Sequence, residues 1–293
     1  MNLDKTGVWF FTDGQSARDA ADFAQRIESL GYSALWIPET LGRNPFAHAA
    51  YLFTETTNLV IATGIANIYH RHPGMTLQSQ KTLAEQSGGR FLLGIGVSHA
   101  PLVAGVRGLE YKKPVATMRQ YLEDMAGSTY TAVPPATEPK TVIAALGPKM
   151  LELARDKADG AHPYWTTPEH TAQAREILGP DKLLCVEQKV VLETQPSVAR
   201  EAARGALAMY ASLPNYRNNW KRLGFSEEEI AEDGGCDRFI DAVVAWGDEQ
   251  ALNDRVRAHY DAGATHVCIQ PVRAGGARGE IDWKALEALA PGS

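Results

Sequence analysis

Short apolar runs alternate with helix-like patterns along the whole chain. Each run resembles a strand buried on both faces, and most are followed by apolar residues at helical spacing. Parallel strands need such a crossover, usually a helix, to return the chain to the same end of the sheet. The runs span 7–11, 34–37, 59–63, 90–99, 141–145, 158–161, 183–192 and 264–270. About eight βα units in 293 residues predict an α/β fold, a closed (β/α)8 TIM barrel rather than an open sheet.

One stretch, residues 196–246, is longer than a single crossover needs. It is rich in helix formers and in aromatic residues such as Tyr210, Tyr216 and Trp220. We interpret it as the seventh helix plus an inserted helical segment near strand seven. Its role is expected to be packing or a dimer contact rather than catalysis. No low-complexity linker divides the chain, so we expect one domain over 1–293.

Composition limits the kind of partner. Hydrophobic residues make up 44% and charged residues 22% of the chain, as in ordinary soluble proteins. A net charge of −6 argues against a nucleic-acid surface. The three cysteines form no Cys-x-x-Cys pair, which favours a reducing compartment. Because neither a signal peptide nor an apolar run of about 18 residues is found, we expect a cytoplasmic location. We also expect a homodimer that acts on a small molecule.

The stretch 90–99 joins a buried strand to a glycine-rich exit. Gly94 and Gly96 let the backbone bend and let another group come close, which places His99 at the rim of the core. A Gly-x-Gly pair also occurs in dinucleotide-binding folds, but those need an acidic residue at the end of the next strand, about 20 positions on. No acidic residue near that distance ends an apolar run. A purely structural strand with a tight exit stays open as the alternative.

Chemistry in such barrels collects at the carboxyl ends of the strands. Glu39 follows strand two, and His99 follows strand four. His70 and His72 follow strand three, where a His-x-His pair is typical of metal-dependent hydrolases. That site also needs a further His and a late Asp, whereas strand eight ends at Gln270, so we predict no metal. Each of these residues also has a structural interpretation as a cap or a hydrogen-bonded core group.

Gly147 and Pro148 follow strand five and open a helix. A glycine turn at a helix start exposes N–H groups at the positive end of the helix dipole, which suits a phosphate. A tight turn with proline at the first helical position is the structural alternative.

Several segments, taken in order, carry a family pattern. They are Leu35–Glu39, Ala62–Asn67 followed by His72-Pro73, Gly89–Gly96, Ala144–Lys149, Ala158–Gly160 and Ala262–Ala264. With these segments the chain resembles the luciferase-like family of flavin and deazaflavin oxidoreductases over nearly its whole length. Gly147-Pro148-Lys149 and the long segment before strand eight are most similar to the branch that uses coenzyme F420, a 5-deazaflavin.

The resemblance implies a flat ring system lying across the strand ends, with coenzyme F420 as cofactor and FMN as the alternative. It also implies a non-prolyl cis peptide at Ala66–Asn67, in a bulge of strand three that supports one ring face. The N–H groups of residues 145–147 would meet the cofactor phosphate, with Thr167 as a second donor. The residues expected to bind the cofactor are Glu39, Thr40, Ala66, Asn67, Gly96, Val97, Ser98, Ala145, Leu146, Gly147, Tyr164 and Thr167.

One departure from the family concerns proton handling. Many relatives have a carboxylate followed by His after strand two, whereas this chain has Glu39-Thr40. Threonine is no general acid near neutral pH, so another group must take that role. His99 stands where sugar-phosphate-oxidising relatives have Glu, and histidine titrates near the working pH. We therefore predict His99 as the first catalytic candidate, then His70 and Glu39, and do not expect sugar-phosphate oxidation.

Three functions follow as hypotheses. The first is hydride transfer between C5 of coenzyme F420 and a small organic substrate, by reduction of C=C or C=O or by alcohol oxidation. The second is an FMN-dependent two-component monooxygenase, and the third is a deazaflavin-binding protein without catalysis. Arg273 and Arg278, in a glycine-rich loop after strand eight, are candidates to meet an anionic substrate or the acidic tail of the cofactor.

Overall fold

The structure, a computed structural model, describes residues 3, 5–231, 234–277 and 279–291. Within these residues ten strands form a sheet in which every paired neighbour is parallel. The strands are β1 (Thr6–Trp9), β2 (Ala34–Ile37), β3 (Val60–Thr63), β4 (Ala66–Asn67), β5 (Phe91–Gly96), β6 (Thr141–Ile143), β7 (Gly160–Ala161), β8 (Leu183–Leu192), β9 (Val244–Gly247) and β10 (His266–Pro271).

The sheet closes into a barrel because β8 pairs with β10, and β10 pairs with β1. The positions around the ring are taken by β1, β2, β3, β5, β6, β7, β8 and β10, while β4 continues β3 and pairs with β5. The predicted (β/α)8 barrel is therefore confirmed. Strands two and seven have the predicted bounds, 34–37 and 183–192.

Helices cover the outside of the barrel. Seven of those described begin at a proline, whose fixed φ and missing N–H suit the first helical position. The helices are α1 (Ala17–Ser29), α2 (Pro45–Glu55), α3 (Pro73–Gln86), α4 (Pro114–Ala126), α5 (Pro148–Lys157), α6 (Pro168–Leu178), α7 (Pro196–Leu207), α8 (Pro214–Arg222), α9 (Glu227–Ala231), α10 (Asp237–Val243), α11 (Glu249–Asp261) and α12 (Trp283–Ala288). No helix in the described part of the chain has the length and apolar character that crossing a membrane requires.

The segment between β8 and β9 folds into α7–α10 around an apolar cluster that includes Trp165, Trp220 and Phe239. The Trp220 indole Nε1 donates to the Trp165 carbonyl (2.9 Å), which ties the segment to the loop after β7. β9 follows α10 directly and pairs with the carboxyl end of β8. The sequence did not predict β9, because a four-residue strand directly after a helix has no turn signal before it.

Large rings fill the inside of the barrel. Trp36 stacks on His162 with 4.3 Å between ring centroids, and its indole Nε1 donates to Nε2 of His266 (3.0 Å). Nδ1 of His162 lies 2.8 Å from the carbonyl oxygen of Cys185 and donates to it. Because the interior is packed, a ligand has to bind at the carboxyl ends of the strands.

Candidate active site

Glu39, just past β2, is the centre of a buried polar group at the mouth of the barrel. Its side chain is 8% exposed and pairs with both Nη atoms of Arg71, with Oε2 accepting from Nη1 at 2.8 Å. Oε2 also accepts from the Asn67 N–H (2.7 Å). Burial by itself raises the pKa of Glu39, but Arg71, the Asn67 N–H and His70 outweigh it and hold that pKa below its ordinary value. An ionised carboxylate with both oxygens occupied suits positioning better than proton transfer.

His70 is held on both sides of its ring. Nδ1 lies 3.1 Å from Glu39 Oε1, and Nε2 lies 3.1 Å from the Asn67 amino group. The Asn67 Oδ1 accepts from the Tyr69 N–H (3.0 Å), which orients the carboxamide. Since an amino group only donates, His70 Nε2 accepts and Nδ1 carries the proton. This arrangement makes His70 a positioning residue for Asn67.

Replacing Glu39 with glutamine is expected to lower the free energy of unfolding by about 2–3 kcal/mol at pH 7, because Arg71 loses its buried counter-charge. The pKa of Glu39 is lowered by folding, so the carboxylate stabilises the fold above its unfolded pKa. That contribution is lost as the pH falls through the folded pKa, so the difference from wild type should shrink in acid. Urea unfolding at pH 7 and pH 4 measures this difference.

The exposed Glu138, which pairs with Lys81 at the surface, offers a matched control. Its replacement with glutamine should change the free energy of unfolding by less than about 0.5 kcal/mol at either pH. A penalty for Glu39→Gln that stays constant with pH would contradict the role of its charge.

β3 is interrupted at Gly64 and Ile65, and the peptide bond between them is cis. The expectation that the cis bond falls at Ala66–Asn67 is therefore wrong. Those two residues form β4 and pair in register with Ile95 and Gly96 of β5, so the bend comes before them.

The glycines of β5 are where the neighbouring chain comes close. A Cβ on Gly94 would lie 2.0 Å from the Thr63 carbonyl oxygen, and one on Gly96 would lie 2.6 Å from Ile65 Cδ1. The group that approaches these glycines is thus the bend between β3 and β4. This packing sets Asn67 beside Gly96 at the barrel mouth.

The loops after β2 and β5 form one side of the mouth. Val97 and Ser98 are half-buried, and Ser98 has a φ of 54°, which is uncommon for a residue other than glycine. The Ser98 carbonyl accepts from the Tyr111 hydroxyl (3.3 Å). The Thr40 carbonyl accepts from Arg107 Nη2 (3.4 Å), which links the two loops.

His99 is half-buried against the helical segment. Its ring centroid lies 5.5 Å from that of Tyr216 in α8. Burial lowers the pKa of His99, and a hydrogen bond with Asn215 opposes the shift without cancelling it. Near pH 7 the ring is therefore mostly neutral and able to accept a proton.

The starts of α5 and α6 meet at His170. Leu146, next to the buried Ala145, accepts from His170 Nε2 through its carbonyl oxygen (2.8 Å). Gly147 is the N-cap of α5 and has no side-chain cap. Thr167 caps α6, and its Oγ1 accepts from the His170 N–H (3.4 Å). The residues predicted to meet a phosphate are thus brought together.

Lys189 and Glu187 form a buried ion pair on β8, with 3.0 Å between Nζ and Oε1 and side chains 2% and 0% exposed. Nζ also donates to Gln270 Oε1 (3.1 Å), which accepts from the Tyr164 hydroxyl as well (2.9 Å). Burial lowers the pKa of Lys189 and raises that of Glu187. The pair lies on β8, next to β7, and Gln270 links it to Tyr164 in the loop after β7.

Aromatic rings enclose the Lys189 ammonium. Nζ lies 3.7 Å from the ring centroid of Trp165 and 3.9 Å from that of Tyr164. The Tyr164 and Tyr210 hydroxyls are 3.2 Å apart. Burial raises the pKa of Tyr164 well above its ordinary value, so the phenol stays protonated and acts as a hydrogen-bond donor.

The remaining predicted residues have other partners. Arg273 forms an ion pair with Glu280 in its own loop, and Arg278 lies outside the described residues. His72 caps α3 by accepting from the Gly74 N–H at Nδ1 (3.1 Å). Residues 68–70 form a 3-10 turn instead of a strand, so His70 and His72 do not share one strand face.

Sequence reasoning missed the charged partners of the site, Arg71, Glu187 and Lys189, and also Arg222. A Cβ on Gly147 would lie 3.2 Å from Arg222 Nη2, so this guanidinium is next to the start of α5. A usable signal existed for two of them. Glu187-x-Lys189 puts opposite charges two residues apart in an otherwise apolar run, which places both side chains on the same face of a strand. Arg71 and Arg222 had no comparable signal.

A family model described as luciferase-like monooxygenase matches residues 4–266. The chain belongs to that family. The match covers the barrel up to the first residue of β10 and all residues predicted to bind the cofactor, and it confirms the resemblance seen in the sequence motifs.

This luciferase-like protein is similar to several F420-linked proteins. A Mycobacterium tuberculosis protein, provisionally named a coenzyme F420-dependent oxidoreductase, is 23% identical over 96% of both chains. The coenzyme F420-dependent tetrahydromethanopterin reductase of Methanopyrus kandleri superposes with a TM-score of 0.79 at 19% identity, covering 99% of this chain and 98% of the other. An F420-dependent secondary alcohol dehydrogenase, solved with an F420–acetone adduct, superposes with a TM-score of 0.75 at 15% identity, covering 93% of this chain and 94% of the other. At these identities the two structures establish the shared fold.

Proposed function

We propose that this protein is an F420-dependent oxidoreductase that transfers a hydride between the deazaflavin and a small organic substrate. The observation that carries the proposal is the in-register pair of Asn67 and Gly96 beside the Glu39 group, at the strand ends of a luciferase-like barrel. The names of the M. tuberculosis relative and of the two structural neighbours support F420 as the cofactor. Reduction of an activated C=C or C=O bond, or alcohol oxidation, is the proposed chemistry.

The residues present fit a phosphorylated cofactor. The buried Thr166 Oγ1 and His170 Nδ1 have no hydrogen-bond partner in the described part of the chain. His170 contacts the carbonyl that precedes Gly147, and Thr166 precedes the N-cap of α6. Buried polar atoms are rarely left unpaired. The Thr166 hydroxyl can donate to a phosphate oxygen at the starts of α5 and α6, whereas His170 Nδ1 can only accept, since Nε2 donates to the Leu146 carbonyl, and suits a hydroxyl of the ligand.

When bound, F420 supplies a two-electron hydride carrier. The chain would hold it at Gly96, Val97 and Ser98 along the ring edge, with Asn67 at the polar end. Glu39, with Arg71, keeps Asn67 oriented instead of exchanging protons itself.

Hydride transfer to a C=O or C=C bond also needs a proton for the atom that gains the electron pair, and the reverse reaction needs a proton acceptor. His99 is the proposed group, because it lies at the rim and its pKa is lowered by burial, so the neutral ring can accept a proton near pH 7. Tyr164 is the second candidate, since its hydroxyl donates to Gln270 Oε1, which also accepts from Lys189. Arg273 is proposed to meet an anionic substrate after leaving Glu280.

Titration of the purified protein with F420 and with FMN tests the proposal most directly. Purified protein should quench or shift the fluorescence of F420 with a Kd in the micromolar range or below, and should bind FMN at least tenfold more weakly. Equal or tighter binding of FMN would favour a two-component monooxygenase instead. Tight F420 binding without turnover of any enone, ketone or alcohol in a panel would favour a binding protein.

Size-exclusion chromatography of the same sample tests the proposed homodimer, and fractionation of the source cells tests the cytoplasmic location.

A further inference from the structure

Aromatic rings form a continuous row from the end of β1 to the helical segment. Phe11 follows β1 and contacts Trp9 edge to face, with 4.8 Å between the ring centroids. Trp9 lies 5.1 Å from Tyr164, in the loop after β7, and Tyr164 lies 5.5 Å from Tyr210. Tyr210 contacts Tyr216 of α8 edge to face at 5.4 Å. We call Phe11, Trp9, Tyr164, Tyr210 and Tyr216 the aromatic row.

The aromatic row connects two points of the candidate active site. Near one end, the Trp9 indole Nε1 donates to the Gly64 carbonyl (3.1 Å), in the bend that precedes Asn67. At the other end, the ring of Tyr216 lies 5.5 Å from that of His99, the proposed proton-transfer group. A molecule packed along the row therefore has the bend beside Asn67 at one end and His99 at the other.

The exposure of the rings suits a ligand surface. Phe11, Tyr164 and Tyr210 are half-buried and so expose part of their surface. Trp9 and Tyr216 are only 2% and 6% exposed and hold the others in place. Burial also raises the pKa of Tyr164 and of Tyr216 well above the ordinary value, so both hydroxyls stay protonated and carry no charge.

The charges beside the row indicate an uncharged ligand. Lys189 Nζ lies 3.9 Å from the ring centroid of Tyr164 and 5.6 Å from that of Tyr210, so this ammonium already occupies the cation–π position. Because Lys189 pairs with Glu187 (3.0 Å), the two charges balance and attract neither an anion nor a second cation. What the row attracts is a neutral aromatic ring, which pairs favourably with other rings at centroid distances of about 4.5–7 Å.

We infer that the substrate carries an aromatic ring conjugated with the reacting C=O or C=C bond, and that this ring packs on the aromatic row. Phe11 and Tyr210 are then specificity-determining residues. Conjugation keeps the reacting bond in the plane of the ring, so the bond extends along the row towards His99. The inference rests on the proposed function for the reaction and names its substrate class as aryl enones, aryl ketones or the corresponding alcohols. Arg273 does not belong to the row, so the substrate needs no anionic group to bind there.

Two enones that differ only in the ring test the inference: benzylideneacetone and its analogue with cyclohexyl in place of phenyl, each with reduced F420. The measured quantity is the ratio of their kcat/KM values, phenyl over cyclohexyl. The two enones differ in intrinsic reactivity, but that difference cancels when the ratio is compared between wild type and a variant. If the protein oxidises alcohols instead, the phenyl and cyclohexyl methyl carbinols are the matching pair.

Tyr210→Leu should lower this ratio about 3- to 10-fold, the size expected for one lost aromatic pair. Phe11→Leu should lower it in the same direction, and carries the test if Tyr210→Leu does not fold. Tyr210→Phe keeps the ring and removes only the hydroxyl, so its ratio should stay within twofold of wild type.

Tyr130→Leu is the matched control. Tyr130 is half-buried like Tyr210, but it follows α4 at the opposite end of the barrel, where Lys81 Nζ lies 5.9 Å from its ring centroid. This variant should leave the ratio unchanged, and circular dichroism melts should show that each variant is folded. The inference is overturned if Tyr210→Leu and Phe11→Leu both keep the ratio of wild type, or if Tyr130→Leu lowers it as much as they do.

If wild type neither binds F420 nor turns over a member of either pair, the proposed function fails while the aromatic row is still decided. Benzylacetone, the saturated phenyl ketone, should then raise the Tm of wild type more than its cyclohexyl analogue does at equal concentration. This difference in Tm should be smaller in Tyr210→Leu and in Phe11→Leu. Equal shifts by the two ketones in wild type would overturn the inference as well.

Discussion

Replacing Lys189 with methionine is expected to lower the free energy of unfolding by about 3–5 kcal/mol at neutral pH, because Glu187 is left as a buried charge without a partner. Burial raises the pKa of Glu187 in the folded protein. A group whose pKa is raised by folding stabilises most fully below its unfolded pKa and loses that contribution as the pH rises through the folded pKa. The penalty of Lys189→Met should therefore grow from pH 5 towards pH 8.

Removing the other charge of the pair, by Glu187→Gln, should give a stability penalty with the opposite pH dependence. Glu187→Gln leaves Lys189 buried alone, and burial already lowers the pKa of that lysine. The unfolded chain then binds more protons than the folded one between the lowered pKa and the ordinary value, so stability rises with pH across that window. The penalty of Glu187→Gln should be largest in acid and shrink in alkali.

Urea unfolding at pH 5, 7 and 9 measures how the loss of stability in each single variant changes with pH. The double variant, Glu187→Gln with Lys189→Met, is the internal control, since it removes both charges and should cost less than the sum of the single changes. Two single variants within about 1 kcal/mol of wild type at every pH would show that the pair is not buried in solution.

Replacing His99 with alanine is expected to lower kcat by about 100- to 10,000-fold for whichever panel substrate the protein turns over, because the atom gaining or losing the electron pair lacks its proton partner. Cofactor affinity should stay within threefold, since His99 contacts Tyr216 at the rim. Added imidazole should restore part of the rate. In wild type the pH profile of kcat should show a group with a pKa below the ordinary histidine value, in line with burial of His99.

His72→Ala serves as the control for this prediction. It removes a histidine that only caps α3, so it should reduce stability slightly and leave kcat unchanged. An unchanged kcat in His99→Ala would remove His99 from the chemistry and direct attention to Tyr164, tested by Tyr164→Phe. A fall in kcat without imidazole rescue, together with weaker cofactor binding, would indicate a packing role for His99.

Much of the barrel was predictable because its signals are local. Apolar runs and helical periodicity are properties of neighbouring residues, and parallel strands joined by helices leave few alternatives to a closed barrel in a chain of this length. β9 was missed because its pairing with β8 depends on a fold-level contact. The cis peptide was assigned two residues too late because the register of β4 on β5 decides where the bend falls.

In the candidate site, too, some features were predictable from the sequence and others depended on the tertiary structure. The amino-acid sequence alone determined which elements end at the mouth, and hence that Glu39, Asn67, Gly96 and His99 lie at strand ends. Only the tertiary structure decided the partners of the charges. Arg71 pairs with Glu39, Lys189 with Glu187, and Arg222 lies against Gly147, 75 positions earlier. Periodicity describes the face on which a side chain lies, whereas long-range electrostatic partners depend on how the whole barrel closes.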